Sequence, residues 1–210
     1  MIEVGTVIVI AHQKGGVGKS TIASNLAVEI SKTTKVILID LDIQRSISYF
    51  NSLREDNKLK IKHAHKFNDL QELVNNNSEV MIIDVGGFDS DLNRAAILGA
   101  DILVTPVSDS AIELVGLLSF KNTLKEVRKV RPDIRASILL NRIHPNARLS
   151  IEKLNDFIRT NDEFSLLNSV LRDRSEYKKA FEVGKSVCEL DEHSKASAEI
   201  KQLVKEVYNG

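Results

Sequence analysis

The segment Lys14-Gly15-Gly16-Val17-Gly18-Lys19-Ser20-Thr21 constrains this chain more than any other stretch of it. It follows an apolar, β-branched run, Thr6-Val7-Ile8-Val9-Ile10, and precedes Ile22-Ala23-Ser24-Asn25-Leu26-Ala27-Val28, which reads as a helix. A strand, a glycine turn carrying a lysine and a hydroxyl, and then a helix form the arrangement that holds a nucleotide phosphate. The glycines let backbone N–H groups close around the oxygens without Cβ clashes. In such a loop Lys19 lies on the β- and γ-phosphates and the Ser20 hydroxyl binds Mg²⁺, while Gly15, Gly16, Val17, Gly18 and Thr21 complete the cradle. The loop also departs from the common pattern. Gln13 stands where a glycine is usual, and a second lysine, Lys14, precedes Lys19 by five residues. A lysine there need not reach its own nucleotide and can reach the γ-phosphate on a facing subunit.

The rest of the chain alternates strand and helix patterns, which predicts a mostly parallel sheet with helices on both faces. Strands are expected over 6–11, 35–40, 59–64, 79–84, 101–106, 135–140 and 166–171. Helices are expected over 19–31, 46–54, 68–75, 112–130 and 150–159, with a last one presenting Ala196, Ile200, Leu203, Val204 and Val207 to the core. The predicted fold is α/β: a single P-loop NTPase domain over 1–210 built on a twisted sheet.

At 210 residues with 42% hydrophobic composition, the chain is long enough for one substantial core. No run approaches the roughly 20 apolar residues of a membrane span. The N-terminus leads straight into a strand, so no signal peptide is expected, and a cytoplasmic location follows. Cys188 is the single cysteine, which excludes a cysteine-held metal cluster within one chain and with it a reductase-type electron carrier. Formal charge is zero, so any DNA contact has to come from a local patch.

Carboxylates end two of the predicted strands, at the edge where open α/β sheets bind ligands. In Asp40-Leu41-Asp42 the alternation of a strand end sends both acids to one side, where they can organise metal-bound waters and an attacking water. A pair of solvated loop aspartates is the plainer alternative. Asp84 closes the run Val80-Met81-Ile82-Ile83 and is placed to hold a Mg²⁺ water or the Ser20 hydroxyl. Backbone N–H groups of Gly86 and Gly87 can meet a γ-phosphate and sense its loss, and Asp91 is expected to cap the next helix. Asn141, before Arg142 at a strand end, offers a donor and an acceptor suited to an adenine edge, or simply turns the chain out of the strand. His63 and His65 share a strand face but lack a third ligand, so no metal site is expected there.

Taken together, Gln13 to Thr21 resembles the deviant Walker A box of the ParA/MinD-type ATPases, most closely the small, ParF-like partition ATPases. Asp40-Leu41-Asp42-Ile43-Gln44 is similar to that family's Asp-x-Asp-Pro-Gln box, with Ile43 in place of proline. Arg172, Tyr177, Ala180, Gly184, Ser186, Val187 and Glu189 continue the resemblance. It implies an ATP-dependent homodimer in which Lys14 crosses the interface, Asp42 positions or activates the hydrolytic water, and Asn141 contacts the base. Asp84, and more remotely Asp40, would act on Mg²⁺ through water. It implies slow hydrolysis of ATP to ADP, non-specific DNA binding on the nucleoid, and a ParB-like or small centromere-binding partner; no membrane contact is expected, because the segment Lys201 to Gly210 is short and its apolar residues belong to the core stripe. Arg172, Arg174, Lys178 and Lys179 are candidate DNA contacts. A second basic group, Lys121, Lys125, Arg128, Lys129, Arg131 and Arg135, can neutralise DNA phosphates but reads more readily as a solvated helix face, whereas for the first group the two readings stand even. A MinD-like or ParA-like ATPase that positions a protein cargo, and a scaffold that never turns nucleotide over, are the competing functions.

Overall fold

In the computed structural model, residues 5–76, 78–87, 89–109, 113–144 and 148–208 are described, with the backbone alone for 113 and 148–151. Seven strands carry the fold: β1 (Val7–Ile10), β2 (Val36–Asp40), β3 (Lys60–Lys62), β4 (Val80–Asp84), β5 (Ile102–Val107), β6 (Ala136–Ile143) and β7 (Phe164–Arg172). They form one sheet in the order β3-β2-β4-β1-β5-β6-β7, and each neighbouring pair is parallel. Among them run α1 (Lys19–Ser31), α2 (Ser46–Ser52), α3 (Phe67–Asn75), α4 (Asp91–Leu98), α5 (Glu113–Arg128), α6 (Arg148–Arg159), α7 (Ser175–Glu182), α8 (Val187–Leu190) and α9 (Lys195–Val207).

Both sheet faces are buried, which is why the central strands are apolar without interruption. Val7 and Val9 of β1 pack into one core with Leu70, Ile97, Leu117, Phe120 and Leu154 of α3 to α6. Ile8 and Ile10 point the other way, into a second core built by Ile22, Leu26, Phe50, Ala180, Ile200 and Leu203 from α1, α2, α7 and α9. The apolar stripe expected in the last helix is buried at Ala196, Ile200, Leu203 and Val207. Register places the functional ends together: Ile10 pairs with Asp84, and Asp84 with Asp40.

Several boundaries differ from expectation. The strand expected to stop at residue 140 continues to Ile143, so Asn141 and Arg142 lie inside β6. Ser90, not Asp91, caps α4, because its hydroxyl accepts the Asn93 amide while Asp91 is already the first helical residue. The long helix begins at Glu113 among the described residues; residue 112 lies outside them.

The helices α7 and α8 were not anticipated, and their packing explains the residues in 172–189 that carry the resemblance. Gly184 has a φ of +65°, and a Cβ there would lie 2.8 Å from the Leu53 carbonyl carbon at the end of α2. Arg54, 6% exposed, donates to the Gly184 carbonyl at 2.8 Å and grips Glu189 through two nitrogens at 2.9 and 2.8 Å. Glu189 and Ser186 form a capping box at the start of α8, and the Val187 amide donates to Asn25 of α1 at 2.9 Å. Thus α2, which follows Asp42, and α1, which follows the phosphate loop, are clamped to one junction. Gly184→Ala is expected to cost about 2 kcal/mol of unfolding free energy, because the added Cβ is both strained and crowded; a urea titration measures this, and an unchanged midpoint would show that the junction gives way.

Candidate functional site

Residues 11–18 connect β1 to α1 at the C-terminal edge of the sheet. Gly16 and Gly18 take φ values of +76° and +95°, conformations that side chains disfavour. At Gly18 a Cβ would also sit 2.5 Å from the Asn141 amide nitrogen, so that side chain would have to leave its place against the loop. The loop is held from four directions. The Lys14 amide donates to His12 Nδ1 at 3.0 Å, Lys19 Nζ donates to the Lys14 carbonyl at 3.1 Å, Asn141 donates to the Val17 carbonyl at 2.7 Å, and Arg142 donates to the Gly16 carbonyl at 2.7 Å. Gln13, standing where glycine is usual, donates to Thr123 of α5 at 2.6 Å and so pins the loop's entry to that helix.

Lys19 is 5% exposed. Burial lowers its pKa, and the charges of Asp84 and Asp42 oppose that shift. Asp84 is fully buried, and neither of its carboxylate oxygens completes a hydrogen bond within the described residues. Burial pushes its pKa up to about 7; the nearby Ser20 hydroxyl and Lys19 pull it down, while Asp40 and Asp42 add to the rise. A buried, unpaired carboxylate beside a hydroxyl supplies the hard oxygen donors that Mg²⁺ prefers.

The two acids of Asp40-Leu41-Asp42 have different employments. Asp40 is 1% exposed; its Oδ2 accepts the Ser48 amide at 3.0 Å and the Ser48 hydroxyl at 2.6 Å, and its Oδ1 accepts the Asp42 amide at 3.3 Å. Asp40, expected to serve the metal through water, thus has Oδ2 bonded to Ser48 of α2 and Oδ1 bonded to the Asp42 amide of its own turn. Asp42 is half-buried, and its Oδ1 accepts the Gln44 amide at 2.9 Å. Ile43 is 77% exposed where the resemblance expects proline.

The turn after β4 touches the phosphate loop directly. A Cβ on Gly87 would lie 2.9 Å from the Gly15 nitrogen and 3.2 Å from the Lys14 carbonyl carbon. Beside the loop lies a cleft of about 770 Å³ bordered by Gly18, Thr21, Asn141, Arg142, Arg172 and Tyr177. Of the four cations expected to meet DNA, Arg174 is engaged internally, donating to Glu199 of α9 at 2.9 and 2.7 Å. Arg172, Lys178 and Lys179 are exposed. The second basic group is largely paired as well: Lys121 with Asn161, Arg128 with Asp162, Lys129 with Glu126, and Arg131 with the Leu98 and Ala100 carbonyls. His63 accepts from Arg45 at 2.6 Å, and no metal-holding group of His, Cys, Asp and Glu exists among the described residues.

With this geometry in view, comparison with known proteins settles the family. A model described as the CobQ/CobB/MinD/ParA nucleotide binding domain matches residues 8–187. The chain belongs to this family. As a CobQ/CobB/MinD/ParA domain it is similar to the maintenance of carboxysome distribution protein A of Halothiobacillus neapolitanus, at 24% identity over 211 residues that span 94% of each chain. A Borrelia burgdorferi B31 plasmid partition protein solved with AMPPNP superposes with a TM-score of 0.74 at 22% identity, over 96% of this chain and 97% of that one. A Cyanothece McdA variant solved with ATP superposes with a TM-score of 0.75 at 17% identity, over 97% and 96%. At these identities the solved structures bear on fold alone. The family's ATPase-type members work in partition and positioning, the coarse setting for this chain.

The buried Asp84 carboxylate makes a thermodynamic prediction. Its folded pKa is raised, so the cost it imposes grows as pH climbs from the unfolded value toward about 7. Asp84→Asn removes that dependence. The variant's stability relative to the parent is expected to be about 2–3 kcal/mol more favourable at pH 8 than at pH 5, measured by denaturant unfolding without nucleotide. Equal differences at both pH values would remove the charged-burial argument.

Proposed function

We propose that residues 1–210 act as one ParA-type ATPase that dimerises on ATP and uses slow hydrolysis to drive segregation or positioning. The observation that carries this reading is the backbone contact between the Gly86-Gly87 turn and the loop at Lys14-Gly15. A turn pressed against the lysine that would cross to a second subunit links loss of a γ-phosphate to loss of the dimer.

In this reading Gly15 to Gly18, Ser20 and Thr21 cradle the phosphates, and Lys19 neutralises the β/γ oxygens from its buried position. Ser20, and Asp84 through water, would hold Mg²⁺, which supplies charge neutralisation at the transferring phosphoryl group. Asp42, unlike Asp40, has a carboxylate oxygen with no backbone or hydroxyl partner among the bonds of its turn, and it orients the attacking water. Gly86 and Gly87 present N–H groups toward the γ-phosphate, and Asn141 meets the edge of adenine. Lys14 completes the neighbour's site, so hydrolysis is slow without a dimer and a partner protein.

DNA binding without sequence preference would use the exposed cations Arg172, Lys178 and Lys179, with a ParB-like or small centromere-binding protein stimulating turnover at the nucleoid. A second reading, a ParA-like ATPase that positions a protein cargo, is favoured by the near full-length similarity to a carboxysome distribution protein. Either cargo employs the same ATP cycle. No helix among the described residues is long and apolar enough to cross a membrane.

Two variants test the cycle. Lys14→Ala is expected to keep nucleotide binding and to lose ATP-dependent dimerisation on sizing columns; normal dimers with ATP would remove the crossing lysine. Asp42→Ala is expected to form ATP dimers that persist, with phosphate release reduced at least about tenfold in the presence of DNA and partner. Parental turnover in that variant would end the assignment of Asp42.

A further inference from the structure

We propose that Arg142 is a positioning residue for phosphate binding: its guanidinium holds the Gly16 carbonyl outward, so that the loop's N–H groups face the phosphates before nucleotide arrives. The inference rests on the nucleotide reading above and goes beyond it, because nothing in the loop's own sequence requires a second element to shape it.

A loop that turns successive N–H groups toward an anion turns the carbonyls of the same peptide units away from it, and those carbonyls need partners of their own. Here two consecutive carbonyls, Gly16 and Val17, are satisfied by two consecutive residues of β6, Arg142 and Asn141, each at 2.7 Å. In a regular strand, neighbouring side chains point to opposite faces and cannot both serve one loop. The structure breaks that alternation at this point. Arg142 has a φ of +56°, in the left-handed region that non-glycine residues adopt only at a cost, and the pairing of β6 with β7 slips between Leu140 and Ile143. Glycine would relieve the backbone, yet the position carries an arginine whose side chain makes the bond. The same guanidinium lies beside Gly18, where a Cβ would be 4.0 Å from Arg142 Nε.

This role differs from a contact with the base, and the two can be separated. Arg142→Gly relaxes the left-handed backbone while removing the guanidinium; Arg142→Lys keeps a donor. For Arg142→Gly the unfolding midpoint without ligand is expected to be unchanged or raised, while affinity for fluorescently labelled ADP falls about tenfold, the value of one charge-assisted hydrogen bond. Inorganic tripolyphosphate, which has no base, is expected to compete about tenfold more weakly as well, and Arg142→Lys to recover part of both losses. Unchanged affinity for both ligands in Arg142→Gly would overturn the proposal. So would a loss confined to ADP, which would make Arg142 a base contact. A parent chain that binds neither ligand would overturn the nucleotide reading itself and this proposal with it.

Discussion

The site depends on the register of three parallel strands. Because Ile10, Asp84 and Asp40 are neighbours across β1, β4 and β2, the loop after the first strand, the acid ending the fourth and the acid ending the second arrive at one point on the sheet edge. A shift of one residue in any pair would turn these ends to opposite faces and would expose half of each strand's apolar side chains. The two cores that bury the sheet therefore do more than stabilise it. They fix the phase of the strands, and the phase assembles the chemistry.

That assembly is electrostatically costly in isolation. Asp84 is wholly buried without a completed hydrogen bond among the described residues, and Lys19 is almost as buried, with its amine on the loop's own Lys14 carbonyl. Unpaired buried charge is tolerated where a ligand of matching charge belongs, and the neighbouring Ser20 and glycine N–H groups supply the rest of such a pocket. Stability in the free chain comes from the two apolar cores, and the charges elsewhere are paired, as in Arg54–Glu189 and the Glu199 carboxylate that gathers Arg174 and the Tyr177 hydroxyl.

Much of this was legible from the chain alone. Strands buried on both faces announce themselves as continuous runs such as Val80-Met81-Ile82-Ile83, and each of the seven expected strands exists. The turn between β1 and α1 was readable because its glycines take conformations that only local sequence dictates. What escaped reading is what tertiary contact decides. Asp40 and Asp42 are two acids at one strand end in sequence, and only the fold shows that Ser48 returns to bond the first of them. The short α7 and α8 carry little periodic signal, and their order comes from Arg54, 135 residues away from Glu189. Arg142 gives no local hint of a left-handed backbone, since arginine is not a residue that favours one. The pairing of the basic segments was hidden for a related reason. Composition counts cations, but the fold pairs Arg128, Lys129 and Arg174 with acids brought from other turns and elements.

The meeting of Gly87 with Gly15 has one more consequence. Two main chains abut there with no side chain between them, and side chains are what normally absorb small movements by changing rotamer. The turn after β4 and the phosphate loop thus lie too close for any side chain at residue 87, so that a movement of the turn toward the loop meets main chain directly and not a side chain that could yield by changing rotamer.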